Sequence, residues 1–136
     1  LGNLGNAYAD LGEVRRAIGT FEQALEIARE IGDRRNEGSW LGGLGLAYAD
    51  LGEVRRAIEY YEQCLVIHRE IGDRREEGHH LGRLGVAYKN LGDSTRARRL
   101  WEQALRIFEA IEDPRAQRVR GWLAALEESD TDVGTE

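Results

Sequence analysis

His79 and His80 stand side by side just after Glu76 and Glu77, and imidazoles with nearby carboxylates are the ligand types that zinc takes. A zinc centre needs three or four of them converging, whereas adjacent residues on a helix point roughly 100° apart. The pair therefore reads as an incidental surface feature, and no metal is expected. Gly43-x-Gly45 has the start of a dinucleotide-phosphate loop, but Tyr48 stands where the third glycine belongs and the surrounding pattern is helical rather than strand-to-helix. Cys64 and His68 lie one turn apart, at positions held by Ala24 and Ala28 and by Ala104 and Phe108 in related segments, which makes Cys64 a small core residue and His68 a partly buried packing residue. Arg15-Arg16, Arg34-Arg35 and Arg55-Arg56 suggest a basic ridge, yet Glu13, Asp33, Glu53 and Asp73 beside them make solvated ion pairs the expectation. No nucleophile, base and orienting group recur together, so neither an enzyme nor a cofactor is expected.

The elements that must position these side chains come from a repeat. Residues 1–40 recur as 41–80 with 29 identities, and residues 81–120 share 17 with the second copy, so one supersecondary unit is stacked three times. In the second copy Leu41, Leu44, Gly45, Tyr48 and Leu51 fall on one helical stripe, here called helix A. Gly52 ends it, and Val54, Ala57, Ile58, Tyr61, Cys64, Leu65, His68 and Ile71 mark a second stripe, helix B. Gly72 stops helix B; Asp73 then caps the next helix, with Glu76 three residues on to complete a capping box. Gly32-Asp33 repeats the signal, and Asp113-Pro114 replaces it in the third copy, proline suiting the first helical turn.

Composition agrees with a stack of helices. The 136 residues are 41% apolar and 32% charged with one proline, the balance of a soluble helical protein read as one domain. No apolar run approaches the roughly 18 residues that span a bilayer, so no membrane is expected. A net charge of −6 with interspersed cations argues against nucleic acid, which needs a clustered basic face. The single cysteine, Cys64, fits a reducing, cytoplasmic setting.

The spacing Leu41-x-x-Leu44-Gly45-x-x-Tyr48 followed by Ala57-x-x-x-Tyr61 resembles the tetratricopeptide (TPR) signature, and Leu4-Gly5, Tyr8, Ala17, Phe21 and Leu84-Gly85, Tyr88, Ala97, Trp101 repeat it. Gly5, Gly45 and Gly85 with Ala17, Ala57 and Ala97 let helices A and B approach closely, and the aromatic residues fill the space between neighbours. The family's first aromatic position is Leu1, Leu41 and Leu81 here, its closing proline is absent, and the period is 40 rather than about 34 residues. The pattern is similar to the long-repeat subclass of kinesin light chains, Pins-type adaptors and bacterial signalling TPR arrays. HEAT repeats share the period but not the Leu-Gly-x-x-Tyr spine.

This resemblance implies an all-α, right-handed TPR α-solenoid: repeats 1–40, 41–80 and 81–120, a capping helix at 114–128 carrying Val119, Trp122, Leu123 and Leu126 on one stripe, and a disordered tail at 129–136. It implies a scaffold whose A helices line a concave groove for a peptide or helix of a partner protein. The family's contact positions carry over to Asn3, Asn6, Ala9 and Asp10; to Ser39, Gly43, Leu46, Ala49 and Asp50; and to His79, Arg83, Val86, Lys89 and Asn90. The subtype that grips a chaperone's C-terminal carboxylate uses two lysines, two asparagines and an arginine. Here those positions are Gly2, Asn6, Gly43, His79 and Arg83, so only two match and an internal segment is the expected ligand. The alternative is a structural or self-assembly segment of a longer array. Leu1 begins partway through a helix A, which suggests an excised piece able to associate through its truncated first repeat.

Overall fold

The computed structural model describes residues 13–135, with side chains from 13 to 129. Among the described residues there are six helices and no strand: α1 (Val14–Ile31), α2 (Arg34–Asp50), α3 (Val54–Glu70), α4 (Arg74–Asn90), α5 (Ser94–Ala110) and α6 (Arg115–Thr135). The all-α reading holds, with α2–α3 and α4–α5 as successive A–B pairs. The chain divides into two compact units, residues 1–72 and 73–136.

Helix starts follow the expected capping chemistry. The carboxylates of Asp33, Asp73 and Asp93 accept from the backbone N–H groups of Asn36, Glu76 and Arg96 at 3.2, 3.2 and 3.0 Å. Each satisfies one of the donors that a helix N-terminus leaves without an intrahelical partner. The box around Asp73 shows its aspartate half; the Glu76 carboxylate lies toward the His80 ring, 3.8 Å from Nδ1.

Helix ends use left-handed backbone. Gly32 at φ 72° donates to the Arg29 carbonyl while Asp33 donates back to Ala28, a pair of bonds repeated at Gly52–Glu53 and Gly92–Asp93. After α5 the same pair of bonds runs from Glu112 to Glu109 and from Asp113 to Phe108, with Glu112 at φ 55°. A side chain there crowds the carbonyl that follows it, at a cost of about 1–2 kcal/mol that glycine avoids. Glu112→Gly is therefore expected to stabilise the protein by about 1 kcal/mol, net of the larger chain entropy glycine loses on folding. Urea unfolding measures it, and a midpoint unchanged or lowered would rule out strain at this turn.

In unit 1, α1 and α3 flank α2. Ala17, Phe21, Ala24, Leu25 and Ala28 of α1, Leu41, Leu44, Ala47 and Tyr48 of α2, and Ala57, Tyr61, Cys64, Leu65 and Ile67 of α3 are buried, and Phe21 stacks on Trp40 at 6.0 Å. In unit 2 the buried set is Leu81, Leu84 and Ala87 of α4, Ala97, Trp101, Ala104, Ile107 and Phe108 of α5, and Ala116, Val119 and Leu126 of α6. Trp101 donates its indole N–H to the Gly82 carbonyl at 3.0 Å and packs 5.3 Å from Trp122.

Three expectations need correction. His80 is not on the surface but buried, because position 80 falls beside Leu81 on the core side of α4, and its Nδ1 lies 3.0 Å from the Glu76 carbonyl. His68 is fully rather than partly buried, the α2 backbone at Gly38 coming close against its ring. The last helix does not stop near Glu128: α6 continues to Thr135, since nothing between 129 and 133 breaks the backbone ladder as a proline would.

Candidate interaction surface

The expected contact residues divide between α2 and α4, with a third group outside the described residues. Asn3, Asn6, Ala9 and Asp10 belong to that third group. On α2, Ser39, Gly43, Leu46 and Asp50 occur at steps of four, three and four, which keeps them on one stripe. Leu46 is 39% exposed, Ser39 and Asp50 are exposed, and Ala49 is half-buried. Gly43 is less open, since an added Cβ there would sit 3.4 Å from the Phe21 ring.

On α4, Val86 is 38% exposed and occupies the register of Leu46, with Lys89 and Asn90 exposed beyond it. His79 and Arg83 are half-buried one turn apart. Arg83 Nε donates to His79 Nε2 at 2.9 Å, and Arg115 Nη1 at the start of α6 approaches His79 Nδ1 at 3.4 Å. Arg115 also lies over the Phe108 ring, 4.8 Å from its centroid.

Arg115 is anchored by Asp113, whose carboxylate accepts from the Arg115 backbone N–H, Nε and Nη2 at 2.9, 3.0 and 2.9 Å and from Arg75 Nε at 3.2 Å. The Arg115 guanidinium, then its backbone N–H, hold the Asp113 carboxyl well below the usual carboxylate range, and Asp113 in turn raises Arg115. Sequence reasoning placed His79 and Arg83 but missed Arg115. The signal was present, because residue 115 repeats the register of Arg75 and Arg35 one and two periods earlier.

Unit 1 carries a second surface that the sequence did not announce. A cleft of about 670 Å³ between α1 and α3 is lined by Glu22, Glu26, Glu30 and Glu59 around Leu25, Tyr60 and Gln63, with Arg29 at its edge. Burial, then the neighbouring Tyr48 ring 5.4 Å away, raises the Tyr60 hydroxyl above its usual range. Tyr48 in turn carries the Arg56 guanidinium 5.0 Å above its ring. Of the ion pairs expected along the basic ridge, Arg16 pairs with Glu13, whereas Arg34 bridges Glu37 and Glu70 rather than its neighbour Asp33.

The described residues contain no helix long and apolar enough to cross a membrane. No curated protein matches the chain. Solved structures do. BtubC (BKLC) from P. vanneervenii shares 25% identity over 96% of this chain and 54% of its own, with a TM-score of 0.86. A putative kinesin light chain with nearly identical TPR-like repeats from Podosopora anserina shares 23% over 98% and 67%, with a TM-score of 0.81. The TPR2AB domain of yeast Sti1 shares 19% over 98% and 47%, with a TM-score of 0.80. This chain thus spans only about half of BtubC. The family model described as tetratricopeptide repeat matches residues 1–70 and again 39–110. Together with the Leu-Gly-x-x-Tyr spine, the close glycines and the paired helices, these matches place the chain in the tetratricopeptide repeat family.

Proposed function

We propose that the chain is a protein-interaction module that holds a peptide or helix of a partner protein against the open stripes of its A helices, and that residues 1–128 act as one array capped by residues 114–128. The observation that carries the reading is the matched pair Leu46 and Val86, large apolar side chains left 39% and 38% exposed at the same register of α2 and α4. Exposed aliphatic residues repeated at one register of the two A helices, with exposed Asp50 on α2 and exposed Lys89 and Asn90 on α4, suit a ligand with apolar anchors and charges of both signs. Yeast Sti1 offers a parallel, its TPR2AB domain being known in complex with pHSP90. Because the lysines of the carboxylate-gripping subtype are replaced by Gly2 and His79 here, the ligand is an internal segment rather than a chain terminus.

Selection of peptides from a random display library on the immobilised protein tests the proposal. Selected peptides are expected to lose about tenfold in affinity to Leu46→Asp and to Val86→Asp, in line with about 1.5–3 kcal/mol for burying one such side chain. Ile27→Asp, on an exposed position of α1, should leave binding unchanged. Peptides that bind all three variants as tightly as the parent would place the site elsewhere.

A further inference from the structure

The cleft between α1 and α3 combines an apolar base with carboxylates that no cation answers. Leu25 is buried at its base, and half-buried Tyr60 lines it from α3. The Tyr60 ring lies parallel to Tyr48 at 5.4 Å, and Tyr48 already holds the Arg56 guanidinium 5.0 Å from its centroid. Around this base, Glu22, Glu26 and Glu30 stand at steps of four along α1, with Glu59 on α3. All four are exposed, and among the described residues none forms an ion pair. Arg29, also on the lining, donates its Nε–H to the buried Glu37 carboxylate at 3.2 Å. Like charges four residues apart oppose helix formation, and here nothing offsets them. One period later the same four registers hold Glu62, Val66, Glu70 and Arg99, and Glu70 is bridged by Arg34. The acidic set therefore belongs to this pair of helices and not to the repeat spine.

We infer that this cleft docks a basic helical segment of a partner protein, in which arginine or lysine residues four apart flank an apolar side chain. Charge complementarity selects the occupant, since the carboxylates of a narrow, partly apolar cleft act together on a cation. Spacing selects a helix. Successive glutamates on α1 are about 6 Å apart along its axis, the same step that separates cations four residues apart on a helix lying alongside. Arginine suits the site better than lysine, because its planar guanidinium stacks on an aromatic ring while its N–H groups reach carboxylates. Tyr60 offers that combination. After burial and Tyr48, Glu22 and Glu59 also raise the Tyr60 hydroxyl above its usual range, against Arg56, which puts both carboxylates beside that ring. Every lining side chain comes from α1 or α3 and none from α2, so the cleft is separate from the stripe of Leu46 and does not rest on the function proposed above.

The probes are three acetylated, amidated, alanine-based helical peptides of equal length, titrated into the whole chain while Tyr60 and Gln63 resonances are followed by NMR. The first carries arginines at four-residue spacing around a central leucine. The second has glutamate for each arginine, and the third has serine for the leucine. The first should bind saturably, the third about fivefold more weakly for want of its apolar contact, and the second not at all. Glu22→Gln, Glu26→Gln and Glu59→Gln should each weaken the first peptide about two- to fivefold, the range for an exposed ion pair, and the three combined more than about tenfold. All three positions are exposed, so these variants keep the fold, which an unlowered urea midpoint checks. Glu102→Gln, at the register of Glu22 two periods later on α5, should leave binding unchanged, as should Leu46→Ser and Val86→Ser on the A helices. Added salt should weaken binding steeply, because exposed charges are screened. Shifts that fail to saturate, that the glutamate or serine peptide matches, or that survive in the combined variant would overturn the assignment. Sensitivity to Leu46→Ser with indifference to the combined variant would also overturn it and move the peptide to the stripe of α2, whereas the reverse pattern would keep the cleft whatever becomes of that stripe.

Discussion

Gly85→Ala is expected to destabilise the protein by about 2 kcal/mol, although alanine is the better helix former by about 1 kcal/mol. A Cβ at position 85 would stand 2.3 Å from Trp101 Nε1 and 2.5 Å from Cδ1, inside any permitted contact. Relief requires the indole to move, and the indole is buried and fixed by its bond to the Gly82 carbonyl. Overpacking of this kind costs about 1–3 kcal/mol, and a strained or lost hydrogen bond adds about 1 kcal/mol. Gly45 faces the same difficulty, with the Tyr61 ring at 2.5 Å. The internal control is the same substitution where there is room. Gly19 on α1 and Gly121 on α6 are exposed, with nothing within 4 Å of an added Cβ, so Gly19→Ala and Gly121→Ala should stabilise by about 0.5–1 kcal/mol. Urea midpoints that rise for all three would show that helix propensity alone governs these glycines.

Trp101→Ala should cost more, about 3–5 kcal/mol, the range for deleting a large buried aromatic side chain. Trp101 is 2% exposed, packs against the close backbone of Gly85, and contacts Trp122 of the terminal helix. Its loss opens space between α4 and α5 and removes a contact that seats α6. Amide hydrogen exchange reads this out by position, with protection in α4, α5 and α6 expected to fall much further than in α1. Uniform loss along the chain would show that Trp101 does not act locally. The two substitutions should also be non-additive. With alanine in place of Trp101, the methyl of Gly85→Ala gains room, so the double variant should be more stable than the sum of the single effects implies. Strict additivity would mean that the Gly85 clash is relieved some other way.

The legible parts of this molecule were those in which a residue type answers a backbone need. A helix must stop, and only glycine turns left-handed without steric cost, so Gly32, Gly52 and Gly72 announced the ends; Glu112 broke the pattern and keeps the turn at φ 55°. Helix N-termini need acceptors, and Asp33 and Asp73 supply them as read. The spine glycines Gly45 and Gly85 were recognised from their register. Gly38 and Gly78, which also bring backbone against His68 and Phe108, were not, although the Glu-Gly pairs at 37–38 and 77–78 repeat at the same 40-residue interval.

The candidate surface was less legible, for a different reason. Periodicity assigns a residue to a face but does not say what lies across from it. His79 and Arg83 were placed on the correct stripe, yet their chemistry depends on Arg115, which is 36 residues distant from His79 in sequence and reaches it only because α6 begins beside α4. Likewise His80, adjacent to His79, is buried while His79 is half-exposed, a difference of one step around a helix.

By itself, then, the sequence determined the repeat, the limits of the inner helices, the family and the stripes, because each follows from local rules of period, capping and turn that recur and reinforce one another. Only the tertiary structure decided which glycines are crowded, how exposed Leu46 and Val86 remain, and that two guanidiniums converge on one imidazole. Those properties depend on distances between atoms far apart in the chain, which packing sets and which no local pattern encodes.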